Sequence, residues 1–258
     1  MATKRILNCL PSPDQGDDWD VASAEAAGLS EVRAAVPAAF DLRAPWWPIG
    51  DQGSTGSCVG WATADSCLRW HYVITGRIPG DAALSVRFLW MAAKETDSLT
   101  TRPTTFIEPE GTTLKAALDI ARKYGAVRDT DLPFDESALF EGTAKTFYAR
   151  ASKLKIAGYV NLGTDQAQWR KWISSQGPVL VRLLVDDTWN DVGADGVLAA
   201  YDSKSAVDGH AVAVVGYKAD HFVVRNSWGT GWGDSGFGYP SNAYARDAFT
   251  ESYGVVLT

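Results

Sequence analysis

Asp51-Gln52-Gly53-Ser54-Thr55-Gly56-Ser57-Cys58-Val59-Gly60-Trp61 is the stretch on which the reading of this chain turns. A glycine-rich loop runs there into a helical pattern. Trp61, Leu68 and Tyr72 fall at i, i+7 and i+11, on one face of a 3.6-residue period. Gly76 follows the last periodic residue as a C-terminal stop. The spacing therefore predicts Cys58 in the first turn of a helix. Unpaired N–H groups and the macrodipole favour negative charge at that position, so the thiol's pKa is expected to fall and a thiolate nucleophile to become available. Gln52 precedes Cys58 by six residues and carries an amide able to donate to an oxyanion formed on a carbonyl that Cys58 attacks. A free cysteine is more often only a small buried hydrophobe. The flanking glycines favour instead a loop whose backbone comes close to a ligand.

The C-terminal half supplies the partners. Asp208-Gly209-His210-Ala211-Val212 places a histidine just before a strand pattern, and Asn226-Ser227-Trp228-Gly229-Thr230-Gly231-Trp232-Gly233 follows one hairpin later. A lone histidine is commonly structural. The hairpin, however, brings neighbouring strands together, so the Asn226 amide can accept from one ring nitrogen of His210 while the other faces Cys58. That is the nucleophile, base and orienter logic of a triad. Trp228 and Trp232 are either core aromatics or a shield that strengthens the His–Asn bond by excluding water.

Taken together, Gln52-Gly53-Ser54 with Gly56-Ser57-Cys58, His210-Ala211-Val212 with Val215-Gly216-Tyr217, and Asn226-Ser227-Trp228-Gly229-Thr230-Gly231-Trp232-Gly233 resemble the papain-family (cathepsin-like) cysteine peptidases. The three motifs stand in the family's order, and the resemblance spans roughly residues 37–258. It implies an α+β, two-lobe fold with a helical left lobe, a β-barrel-like right lobe and a cleft between them. It implies Cys58 as nucleophile, His210 as general base and acid, Asn226 as orienter, and Gln52 with the Cys58 N–H as oxyanion hole. Trp228 matches the indole over the Asn–His pair, and Gly111 the glycine that pairs with substrate backbone. Thr112, Asp208 and Ala211 are the side chains expected near the substrate's second pocket. Substrates are expected to be peptides or proteins, with no metal or other cofactor.

The departures from the family pattern are specific. Thr55 stands where many members have a disulfide cysteine, Val59 replaces the aromatic after the nucleophile, and Gly209 separates Asp208 from His210. Only about 36 residues precede the match. These features point to a bacterial, short-leader relative. Other readings fit less well. Gly233-Asp234-Ser235-Gly236 resembles the trypsin-like nucleophile motif, but His210 lies too close in sequence to serve it, and the remaining candidate, His71, lies inside the helix pattern. A transglutaminase or another thiol amidohydrolase would usually pair histidine with aspartate. A catalytically silent papain-fold binding protein would have been favoured by loss of Cys58, His210, Asn226 or Gln52, and all four are present.

Elsewhere the chain reads in order as follows. Residues 1–36 form an acidic leader with an extended Pro11-Ser12-Pro13 run and a short helix expected within residues 25–33. Its apolar residues Ile6, Leu7, Leu10, Trp19, Val21, Leu29 and Val32 suggest that it packs back on the domain, either restraining the cleft or strapping its outside. Helices are expected over 83–94, from 114 to Gly125, and from an N-cap at Thr164 to Gly177, with a loop at 95–110. Strands are expected over 179–185, 211–217, 222–225 and 253–257, and Lys218-Ala219-Asp220 as a hairpin turn. The lobes divide near residue 130, giving 37–130 and 131–258.

A net charge of −7 leaves no electrostatic footprint for nucleic acid or an anionic membrane. No apolar run suffices for a membrane span, and the start is too short in apolar residues for a signal peptide. The expectation is a monomer in the cytoplasm, or one exported by another route. Three cysteines, Cys9, Cys58 and Cys67, argue against a disulfide framework, and Cys67 is expected to be buried and inert.

Overall fold

Strand Gly209–Tyr217 is buried along its whole length, and the rest of the molecule packs on its two faces. A computed structural model describes residues 5–29, 35–96, 111–134 and 139–257 of the protein. Most of the loop expected over 95–110 lies outside the described residues. The N-terminal half contributes β1 (Cys9–Leu10), α1 (Val21–Ala26), β2 (Phe40–Asp41) and α2 (Cys58–Gly60). The last continues through a π-helical stretch (Trp61–Leu68) into α3 (Arg69–Ile74). Then come α4 (Val86–Thr96), β3 (Thr112–Thr113), α5 (Leu114–Lys123) and α6 (Ala144–Ala151). The remainder is β4 (Gly158–Asn161), α7 (Gln166–Ser175), β5 (Val179–Leu184), α8 (Asp187–Asn190), β6 (Val197–Leu198), β7 (Gly209–Tyr217), β8 (Phe222–Arg225), β9 (Phe237–Pro240), α9 (Asn242–Ala248) and β10 (Phe249–Val256).

Eight strands form one mixed sheet in the order β4-β10-β5-β7-β8-β9-β6, with β2 pairing β7 off that path. Its outer strands do not pair with each other, so the sheet is large but not closed. The barrel-like right lobe expected from the sequence is corrected accordingly. On β7, Ala211, Ala213 and Val215 face a core shared with the helical half, while Val212 and Val214 face a second core under α7 and α9. This is period-2 alternation with both faces covered. A register irregularity between Val214 and Gly216 against β8 breaks the parity, and Tyr217 joins the second core instead of the first.

The helix signals read as written, with small shifts. Ser85 caps α4 by accepting the Phe88 N–H at 3.1 Å. Leu114, Ala117, Leu118 and Ala121 are all buried, and Thr113 caps α5. Gly76 and Gly125 end their helices in left-handed backbone, at φ 69° and 99°. The cap of α7 is Asp165, whose side chain accepts from Ala167, not Thr164. In the leader a helix lies at Val21–Ala26, where Asp20 caps it by accepting the Ser23 N–H; residues 30–33 of the helix expected over 25–33 lie outside the described residues. No helix among the described residues is long and apolar enough to cross a membrane.

Candidate active site

Cys58 opens α2 directly after the glycine-rich loop. That loop is pinned to the turn after β8. The Gln52 N–H donates to the Ser227 carbonyl at 2.8 Å, and Gly229 donates to Gly50 at 3.0 Å. The Ser227 hydroxyl donates to Gln52 Oε1 at 3.0 Å. This fixes the orientation of the amide and leaves Nε2 as the donor. Nε2 reaches the Thr55 carbonyl at 3.0 Å and the Ile6 carbonyl at 3.2 Å. A backbone carbonyl therefore already sits on the donor that the sequence assigned to an oxyanion.

On the sheet side, β7 brings His210 next to Ala211, whose N–H points at the Cys58 sulfur. His210 Nε2 lies 2.8 Å from Asn226 Oδ1. The same oxygen accepts the Ser227 N–H, so Nε2 is the protonated nitrogen. Nδ1 is buried and has no hydrogen-bond partner. Its lone pair is thus left for a proton. The Trp228 ring lies 5.1 Å from the imidazole and Trp189 6.1 Å away, with Trp232 packed 4.8 Å from Trp189. These indoles keep water from the His–Asn bond.

Residues 5–10 run through the cleft between these groups. The Asn8 N–H also points at the Cys58 sulfur. Cys9 and Leu10 pair in parallel with Thr112 and Thr113. A Cβ on Gly111 would fall 1.5 Å from the Asn8 carbonyl, and one on Gly209 2.0 Å from that of Cys9. Glycine is required at both places because backbone lies directly against backbone. Arg182 Nε donates to the Cys9 carbonyl at 2.8 Å. Of the residues expected to meet substrate, Gly111, Thr112, Ala211 and Trp228 therefore line the occupied cleft. Asp208 is exposed beside Gly209, with its carbonyl bonded to the Val185 N–H.

The covering segment changes the electrostatics. Cys58 and His210 are both fully buried. Burial raises the Cys58 thiol above its ordinary value, and the N–H groups of Ala211, Asn8 and Val59 offset this only in part. The lowered thiol pKa expected from the helix start is thus not found in this state, because desolvation outweighs the local dipoles. Burial likewise lowers His210 to about 4, against the raising effect of the Asn226 bond. Thiol and imidazole both rest neutral. Cys9 and Cys67 are unbridged and buried, and burial pushes both thiols up. Among the described residues no group of acidic, cysteine or histidine side chains is placed to hold a metal. The sequence reading missed Arg5, Arg182 and Trp189. A basic residue near a terminus, an arginine within a strand and a tryptophan in a one-turn helix carry no motif that marks them.

The sequence profile of the papain family cysteine proteases matches residues 36–246. The chain is 29% identical over 211 residues to cysteine endopeptidase Rep1 of rice, an alignment covering 78% of this chain and 52% of Rep1. It is 28% identical over 196 residues to germination-specific cysteine protease 1 of Arabidopsis thaliana, covering 74% of this chain and 47% of that protein. It thus spans about half the length of these curated relatives. Among solved structures it resembles xylellain, a cysteine protease from Xylella fastidiosa, with a TM-score of 0.81, 19% identity, and coverage of 99% of this chain and 97% of xylellain. It also resembles the bromelain protease of Ananas comosus in complex with the E64 inhibitor, at TM-score 0.66 and 20% identity, covering 86% and 100% of the two chains. With its motifs in place along that match, the chain belongs to the papain family of cysteine proteases.

Proposed function

We propose that this chain is a cysteine endopeptidase held covered by its own N-terminal segment. The observation that carries the reading is the Gln52 amide donating to a backbone carbonyl beside Cys58, opposite a histidine whose Nδ1 is bare and whose Nε2 is held by Asn226. With the segment displaced, water and substrate replace it. His210 Nδ1 takes the Cys58 proton, and the thiolate sulfur attacks the scissile carbonyl carbon. The oxygen collects negative charge against Gln52 Nε2 and the Cys58 N–H. Collapse of this intermediate breaks the C–N bond, His210 gives its proton to the leaving amine, and a thioester remains. Water, deprotonated by His210, then attacks the thioester and regenerates the thiol.

Residues 5–12 act as the restraint, because they occupy the groove that a peptide would use and hold thiol and imidazole neutral by excluding water. The division of the domain into lobes near residue 130 fits this picture, with Cys58 presented by the helical half and His210 and Asn226 by the sheet. The test is hydrolysis of a mixed peptide library. Cys58→Ala should abolish cleavage while leaving the thermal transition intact, and cleavage near wild-type rates would refute the assignment. Gln52→Ala should lower kcat about 10- to 1000-fold, and an unchanged kcat would remove Gln52 from the oxyanion site.

A further inference from the structure

Arg5 is seated at one end of the cleft by more acceptors than a surface strap requires. Its guanidinium bonds both oxygens of Asp51, with Nη2 3.3 Å from Oδ2 and the Nη1–Oδ1 contact closer. It also donates to the Gly53 carbonyl at 3.2 Å and to the Trp228 carbonyl at 2.9 Å. The guanidinium carbon lies 5.7 Å from the centre of the Trp228 ring. A carboxylate, two carbonyls and an indole face thus surround a single planar cation. A guanidinium can address all of them from one position, whereas an ammonium cannot.

These acceptors belong to the rim of the cleft and not to the segment. Asp51 and Gly53 flank Gln52, the oxyanion donor, and Trp228 lies over His210. They stay in place when the segment leaves. The order of contacts along the segment locates the site. Ile6 meets Gln52, Asn8 meets Cys58 and Gly111, and Arg5 lies at the opposite end from Gly111. The groove continues outward from Arg5 with a volume of about 880 Å³, lined also by Asn190, Asp191 and Gly231. It is open enough for a longer chain to enter.

We infer that Asp51, the Gly53 and Trp228 carbonyls and the Trp228 indole form a substrate subsite that selects a basic side chain, arginine above lysine, on the side of the scissile bond remote from Gly111. Arg5 fills this subsite in the covered state. The inference rests on the peptidase reading, and its test can fail separately.

The experiment uses the full chain and a set of fluorogenic peptides in which one arginine is moved through the positions on both sides of the cleaved bond. Each peptide is paired with its citrulline analogue, which keeps the shape and removes the charge. At one position the arginine-to-citrulline ratio of kcat/KM should be about tenfold or more, the scale of a charge-assisted pair that stays partly open to solvent. Lysine should fall between them. Asp51→Asn should bring that ratio close to one and leave other positions alone. The ratio is independent of how firmly the segment is held, because the segment competes equally with both peptides. A ratio near one at every position, or a preference that survives Asp51→Asn, overturns the subsite. If no peptide is cleaved, the peptidase reading fails. Affinities of the paired peptides for the Cys58→Ala chain, measured by fluorescence anisotropy, then decide the subsite independently, and equal affinities overturn it.

Discussion

Residues 5–12 and residues 15–29 follow one another in the chain, yet they are held in different places and by different partner groups. The first stretch is fixed mainly through polar groups. Arg5 binds Asp51, the Ile6 carbonyl takes the Gln52 amide, Cys9 accepts from Arg182, and the Ser12 N–H reaches Glu251 at 3.0 Å. The second is anchored outside the cleft, by one buried residue and by side-chain bonds: Asp18 pairs with Lys115 at 2.6 Å and accepts from the Tyr253 hydroxyl at 2.9 Å. Ala24 is fully buried in the core beneath the sheet, Val21 and Leu29 pack on the same core, and the Trp19 carbonyl caps the edge strand through the Asn161 N–H. Any extended peptide can reproduce most contacts of the first kind, because they are made to backbone. Nothing in a substrate can reproduce the second. Under the proposed restraint the cleft-lying part is the exchangeable one and the strap the permanent one.

Deleting residues 1–12 tests the exchangeable half and should have the largest effect. The kcat/KM for a small peptide should rise about 10- to 100-fold, chiefly through KM, as an occupied site becomes free. Iodoacetamide should label Cys58 far faster than in the full chain, since the thiol gains water and its pKa falls. The excised segment, added as a peptide, should inhibit. Equal kcat/KM and equal labelling would show that the cleft-lying part is no restraint.

Ala24→Asp tests the other half. A carboxylate placed at a fully buried position should cost about 2–4 kcal/mol and lower Tm by several degrees. The kcat/KM of the protein that remains folded should be unchanged. Lowered stability with raised activity would mean that the two halves release together and that the contrast between them is false.

Most of the fold was legible because its signals are local. The apolar period of Leu114 to Ala121, the stops at Gly76 and Gly125, and the alternation along Ala211 to Tyr217 each depend on a few neighbouring residues. So did the loop-to-helix placement of Cys58. What was hidden depends on partners distant in sequence. Thr112–Thr113 is a strand only because Cys9–Leu10 lies beside it, and Gly158–Asn161 only because it completes the edge of the sheet against β10. The open sheet could not be told from a closed one, since alternation reports that faces are covered and not whether the outer strands meet. The raised Cys58 thiol was misread for the same reason. The helix start is local, but the cover that excludes water comes from residue 8, fifty positions away.

The smallest effect expected concerns acid, and it separates the two histidines by which structure covers them. Burial lowers His210 and His71 each to about 4 from the usual 6.5. Below about 6.5 the unfolded or uncovered state binds protons that the covered state refuses, so stability of the covered state declines as pH falls from about 6.5 toward 4 and is constant with respect to these groups above that range. The upper limit is about 3 kcal/mol for each histidine at pH 4. Residues 5–10 pass beside His210, whose neighbour Gly209 lies against the Cys9 carbonyl, whereas His71 lies in α3 against Trp70 and Gly177. In the chain lacking residues 1–12, His210 should therefore recover an ordinary pKa, and the loss of Tm between pH 6.5 and pH 4 should be smaller than in the full chain. The part that remains should shrink further with His71→Gln, in either background and by the same amount. Mildly acidic buffer should also loosen the segment in the full chain, so that Cys58 labelling, corrected for the thiolate fraction measured in the deletion variant, rises as pH falls. An acid sensitivity of Tm that deletion leaves untouched would place the burial of His210 in the tryptophan cage alone and break the assignment of cover to the segment.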